Sequence, residues 1–252
     1  MSEATDATTR SGLDEQLRAL SFAVGMALVA YAAGNVVLAV AAATLQSAGV
    51  ALLSDRALLV ILGTFAIQGV GYCGAVAVYL RRSGRTDLLS VRVPTARDLA
   101  LVVVGFLGLL AALFGIETVF AALGVGLAES NIVEAGLANP TLLLALAGLS
   151  VVLVGPAEEL LYRGVIQGRL RGAVGPAGAV VLTSAVFAPI HVFGLTGSPL
   201  AVVATLAAIF SLSLVLGALY ELSGTLAVPA LVHGLYNATQ FLVAYLQVTG
   251  GV

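Results

Sequence analysis

The sequence predicts an all-α fold, a polytopic transmembrane helical bundle, and three observations carry that prediction. The 252 residues are 60% hydrophobic and only 10% charged, with a mean hydropathy of +1.09. A soluble domain carries roughly a quarter of its residues charged, so this chain cannot cover a water-facing surface. Long runs lack any formal charge, among them residues 19–54, 135–157 and 172–220. The arginines between those runs collect in alternate connections, as they do on one side of a membrane.

Each element follows from a charge-free run, since a spanning helix needs about 20 mostly apolar residues. Residues 1–18 are polar and mixed in charge, without the basic start and apolar core of a signal peptide. They read as a loose cytoplasmic tail, with one transmembrane domain over 19–252. The first span lies near 20–45 and the second over 57–80, between Arg56 and Arg81. A third follows Asp98 to about 125, and a fourth starts near Pro140. Residues 172–220 suit two spans broken at GLTGSP, 194–199, and the last covers about 225–248. The count is seven; an eighth fits if the long first run is divided. Arg10, Arg18, Arg81, Arg82, Arg85, Arg92, Arg97, Arg169 and Arg171 then share one side, with Arg56 the exception. That assigns the N-terminus inside and the C-terminus outside, in a multi-pass protein of the cell membrane. No internal repeat is visible.

Composition also excludes functions. A net charge of −2 gives no footprint for nucleic acid. The single cysteine, Cys73, rules out an intramolecular disulfide and a CxxC metal site, and reads as a packing residue.

Ionisable groups inside spans are costly, about 2.5–3.5 kcal/mol each on insertion scales, and mark functional sites. Here they are few. Within GPAEELLYRG (155–164), Glu159 and Arg163 stand one helical turn apart with the acid first, the favourable order for an ion pair. Glu158 is rotated about 100° from Glu159, cannot share that arginine as easily, and is a candidate base. In SAVFAPIHVFG (184–194), His191 can exchange a proton or bind metal. In PALVHGLYNATQF (229–241), His233 and Asn237 are one turn apart and can both donate toward an oxyanion. Each group alone also has a structural reading: an ion pair that fixes helix packing, or a hydrogen-bonded packing histidine. Together they leave that reading weaker, because both histidines of the chain join one acidic cluster. Glu117 has no partner in sequence. There is no HExxH, GLSVV at 148–152 is not GxSxG, and no aspartate falls inside a span. Ser184, seven residues before His191, reads as a packing residue.

The three segments resemble the CPBP family, which comprises type II CAAX prenyl endopeptidases and bacteriocin-processing or self-immunity proteins. Its pattern is EExxxR, FxxxH and HxxxN or HxxxD on separate helices. Here it reads Glu158-Glu159-Leu160-Leu161-Tyr162-Arg163, then Phe187 to His191, then His233 to Asn237. The resemblance covers about 140–245. It implies a glutamate-dependent intramembrane endopeptidase acting on a membrane-associated peptide, of which prenylated CAAX-type tails are one class. Glu158 with His191 would activate water, His233 and Asn237 would hold the oxyanion, and Glu159 and Arg163 would support the site. No cofactor is required; zinc is disfavoured, its only candidate ligands being Glu158, Glu159, His191 and His233.

Two other classes stay open: a non-catalytic scaffold or immunity-like protein with a relic site, and a transporter using Glu158 and His191 as a proton relay. The relic reading predicts lost motif residues, and the transporter reading predicts repeated halves; the sequence has neither. For Glu158 and His191 to meet at one depth, the helix bearing EExxxR must continue to about 170, placing the site within the membrane. A turn near Arg171 leaves them about 6 Å out of register at 1.5 Å per residue. Water is expected to arrive from the cytoplasmic side.

Overall fold

A computed structural model of the protein describes residues 2–50 and 54–251, with side chains from residue 12. Arg10, used above for orientation, lies outside the described side chains. Helix dominates, as apolar runs in hydrocarbon require, because the backbone must satisfy its own N–H and C=O groups there.

Helix α1 spans Ser2–Ser47. The expected loose stretch before residue 19 is therefore helical from its second residue. Leu13 to Arg18 hold mostly good helix formers and no proline, so nothing stops the helix extending backward. The first apolar run is one helix and is not divided. Helix α2 (Arg56–Ser83) starts where the Asp55 carboxylate accepts from the Leu58 N–H. It stops at Gly84, whose φ is 69°. Helix α3 (Ala96–Ala122) opens on a reciprocal cap between Thr95 and Asp98. Helix α4 (Asn131–Ala138) is short. Helix α5 (140–174) begins at Pro140 and widens into π-helical turns at Ser150–Val154 and Leu160–Gln167. Gly175, with φ 74°, and Pro176 end it, and α6 (176–190) returns alongside. A tight turn, His191–Gly194, follows. Helix α7 is Pro199–Ser223 and α8 is Ala227–Thr249. Two short strands, β1 (Glu129–Ser130) and β2 (Leu195–Thr196), pair antiparallel, Glu129 opposite Thr196.

The described residues thus form seven long helices and one short one, at the places that the charge-free runs indicate. Five stretches are long and apolar enough to cross a membrane: 12–47, 56–83, 96–122, 140–194 and 199–223. The fourth contains both α5 and α6. Large apolar side chains stand exposed along α1 (Val36, Val40), α3 (Val104, Phe114) and α7 (Leu200, Val203), as faces turned to lipid would require.

The interior forms where small residues let helices close together. On α1, Ala19, Ala23, Ala27 and Ala30 recur every three or four positions and are buried against α2, α5 and α6. A second cluster joins α3, α7 and α8 through Val102, Leu109, Leu216 and Val232. A close crossing beside the motif residues is that of α5 on α8. A Cβ built on Gly155 would sit 2.8 Å from the Ala230 carbonyl oxygen, and one on Gly234 would sit 2.8 Å from the Ser150 oxygen. The two backbones touch there, three residues before Glu158 and one after His233.

The arginine-bearing connection 84–95 is folded against the end of the bundle. Leu88 is buried and packs on Gly168, while Leu89 lies over Gly164. Ser90 accepts from the Leu226 N–H at 2.8 Å, and Arg92 donates to the Ser223 carbonyl at 3.0 Å and to Asp98 at 3.0 Å. On its outer side, the hydrogen bond from Arg85 holds the Asp87 carboxyl below its ordinary range.

The α5–α8 contact predicts that Gly234→Ala and Gly155→Ala each destabilise the protein by about 1–3 kcal/mol, as overpacking does. Val36→Ala, on the outward face of α1, serves as the control. Thermal unfolding in detergent checks this; equal midpoints for the three variants would mean that the close crossing is not a constraint.

Candidate active site

Three of the eight helices, α5, α6 and α8, bring the sequence-predicted residues together. Glu158 and Glu159 are both buried on α5, between its two π-helical segments. Wide π turns of this kind recur at functional sites, where they re-aim side chains.

Glu159 is fully buried, and its Oε2 lies 3.2 Å from Arg163 Nε. The i,i+4 pair expected from the spacing is therefore present. The sequence did not reveal its other half: His233 Nδ1 donates to Glu159 Oε1 at 2.8 Å. Arg163, also fully buried, continues the network, its Nη2 donating to the Ser213 carbonyl and hydroxyl, each at 3.1 Å. Ser213 in turn donates to Ser184 at 3.0 Å. Ser184 is thereby a buried packing and hydrogen-bonding residue, as its sequence position suggested.

Glu158 is differently placed. One oxygen, Oε1, accepts from Gln68 Nε2 of α2 at 2.8 Å. The other, Oε2, faces His233 Nε2 at 3.8 Å, too far for a direct hydrogen bond. Among the described residues no arginine is paired with it. The carboxylate that spacing left unpaired is the one whose second oxygen stays uncommitted.

His191 stands just past the end of α6, and its Nδ1 lies 3.1 Å from the Phe187 carbonyl. A carbonyl only accepts, so this contact makes Nδ1 the protonated nitrogen and leaves Nε2 of the neutral ring with its lone pair. Phe187 packs between the two histidines, its ring centroid 4.7 Å from that of His191 and 6.0 Å from that of His233. The Arg163 guanidinium lies 5.1 Å from the Phe187 ring centre.

Glu158, His191, His233 and Asn237 line one cavity of about 340 Å³. Its remaining wall is mostly apolar, including Leu109, Leu146, Ile209 and Phe241. The depth match also holds. With the turn at Gly175, Glu158 lies 17 residues before it and His191 16 after it. At 1.5 Å per residue the offset is about 1.5 Å, not the 6 Å expected from a turn at Arg171. The cavity wall runs from these residues toward Ser130, Ile132 and Val133, and no residue of the connection 84–95 lines it. Leu88 and Leu89 pack against Gly168 and Gly164 at the arginine-bearing end of the bundle.

The four residues named as an alternative zinc set do not fit a metal centre as placed. Glu159 is already committed to Arg163 and His233, and among the described residues no three His, Cys, Asp or Glu side chains converge on one point. Glu117 is exposed on α3.

Gln68, Phe187 in its contacts, and Ser213 escaped the sequence reading. A glutamine in the middle of the run 57–80 was the available signal, since a buried amide in a span seeks a partner.

Neither the curated proteins nor the solved structures contain a match to this chain. The family described as Rce1-like type II CAAX prenyl endopeptidase matches residues 140–239, the segment that holds every residue of the three motifs and over which the chain is similar to that family.

Proposed function

We propose that this membrane protein is a glutamate-dependent intramembrane endopeptidase. The observation that carries the reading is the gathering of Glu158, His191, His233 and Asn237, from three helices, around one largely apolar cavity. The family match supports a CAAX-type proteolytic activity on a membrane-associated peptide.

Glu158 is the general base. Its uncommitted oxygen takes a proton from water, aided by the free Nε2 of His191, and the resulting hydroxide attacks the scissile carbonyl carbon. As the carbon becomes tetrahedral, negative charge collects on its oxygen. His233 Nε2–H and the Asn237 amide donate to that oxyanion, in a site with little water to weaken them. Collapse of the intermediate breaks the C–N bond. The leaving amine takes the proton held by Glu158, which restores the carboxylate. A protonated His233 makes the group neutral overall, two carboxylates against a guanidinium and an imidazolium. Glu159 and Arg163 hold His233 in place and do not meet the substrate. The apolar wall suits a lipidated or otherwise membrane-bound peptide.

With a quenched-fluorescent peptide carrying a farnesylated CAAX tail, Glu158→Gln is expected to lower kcat/KM by about 100- to 10,000-fold, with the thermal midpoint kept. Equal rates for wild type and this variant would end the assignment. Asn237→Ala is expected to cost about 100- to 1,000-fold in kcat, as does loss of one oxyanion donor. Glu159→Ala should differ in kind. It strands the buried Arg163 charge and so lowers stability by about 3–5 kcal/mol together with activity, which chemical unfolding in detergent measures. Full activity after exhaustive chelation is the expected outcome; loss that zinc restores would replace the metal-free mechanism.

A further inference from the structure

The sequence motifs and the family segment both begin after residue 139, yet the candidate base is held from outside that segment. We propose that Gln68, on α2, is a positioning residue that aims Glu158 for catalysis. The inference rests on Glu158 being the base.

Gln68 Nε2 donates to Glu158 Oε1 at 2.8 Å, across 90 residues of sequence. This fixes which oxygen of the carboxylate is occupied. With Oε1 held, the carboxylate plane is set, and Oε2 is the oxygen presented beside His233 Nε2, 3.8 Å away. A carboxylate without this anchor rotates about its last side-chain bond. It can then turn either oxygen toward His233, losing the geometry that takes a proton from one water. The donor is suited to the task. A neutral amide orients the carboxylate without neutralising it, whereas an arginine at that position would draw off the charge a base needs.

The backbone supports the same role. Gln68 lies inside the nine-residue π-helical segment Phe65–Cys73, and Glu158 lies between the two π-helical segments of α5. Both partners of this bond therefore sit in or beside widened turns, the device by which a helix shifts the direction of a side chain. Gln68 also lines the cavity with Glu158, His191 and His233, so the bond is made at the site. One turn earlier on the helix, the Thr64 hydroxyl is spent on the Val60 carbonyl at 2.9 Å, and one turn later the Tyr72 ring packs edge-on against Tyr162. Gln68 is the α2 side chain that hydrogen-bonds Glu158.

Two variants separate positioning from packing. Gln68→Leu removes the amide at similar size, and Gln68→Glu keeps the shape but replaces the donor with an acceptor. With the farnesylated peptide and full-length protein in detergent, kcat is expected to fall about 10- to 100-fold in Gln68→Leu, with KM within twofold and the thermal midpoint unchanged. The fall should be at least as large in Gln68→Glu. A second measurement needs no turnover. The infrared difference between wild type and Glu158→Gln isolates the Glu158 carboxylate stretch. That band is expected to move in Gln68→Leu, because a hydrogen bond to one oxygen is lost. An unmoved band, or a fall in kcat accompanied by lower thermal stability or a raised KM, overturns the proposal. If Gln68→Leu retains the wild-type kcat while Glu158→Gln is inactive, the base stands and Gln68 is discarded. If wild type and Glu158→Gln cleave alike, the function fails instead, and the infrared band alone decides whether Gln68 orients that carboxylate.

Discussion

A carboxylate with no exposure to water, in the middle of a membrane protein, must be answered by positive charge or hydrogen-bond donors. Glu159 is that carboxylate, and much of the site is arranged around answering it. Arg163 meets it from the next turn of α5, and His233 meets it from α8. Arg163 is itself completely buried, and its Nη2 donates to Ser213 on α7, which bonds Ser184 on α6. One buried charge thereby fixes the mutual placement of four helices. The backbone contact of Gly155 with the Ala230–Gly234 turn is what lets His233 come within reach.

This arrangement divides the work between two adjacent glutamates. Because neighbouring residues on a helix point about 100° apart, one carboxylate can be locked into structure while the next is turned to the cavity. Glu159 is spent on its partners. Glu158 receives one neutral donor, from Gln68, and keeps its second oxygen beside His233. His233 belongs to both systems, bonded to the structural glutamate through Nδ1 and facing the other through Nε2. The ring is held in one orientation by the network that stabilises the bundle, so fold and chemistry cannot be tuned independently there.

The parts of this that sequence made visible are those that hydrocarbon penalises. A charge in an apolar run stands out because it is costly, and so Glu158, Glu159, Arg163 and both histidines were legible. The spacing of Glu159 and Arg163 also disclosed their pairing. Gln68 carries no charge and sits in a run of otherwise ordinary residues, so only its partner across 90 positions reveals a role. The end of α5 was misplaced by a few residues because Arg171 reads as a membrane boundary, while the backbone turns at Gly175, the residue that can adopt φ 74°. The packing of the connection 84–95 into the bundle end was not legible at all. Its arginines read as a solvated loop, whereas Leu88 and Leu89 are what dock, against two glycines of α5 too distant in sequence to suggest the fit.

The turn at Gly175 makes the hairpin of α5 and α6 a ruler with two nearly equal arms. Glu158 is read off one arm and His191 off the other, at almost the same distance from the fold in the ruler. Such a device tolerates substitution along both arms, since most of those side chains only pack. It does not tolerate a change in length on one arm. A single inserted residue between Glu158 and Gly175 would carry the glutamate about 1.5 Å along the axis and about 100° around it, away from both histidines. Conversely, the connection from β2 into α7, beyond both marks, can lengthen or shorten without altering the measure. Drift in this chain should therefore accumulate as substitutions within the hairpin and as insertions outside it.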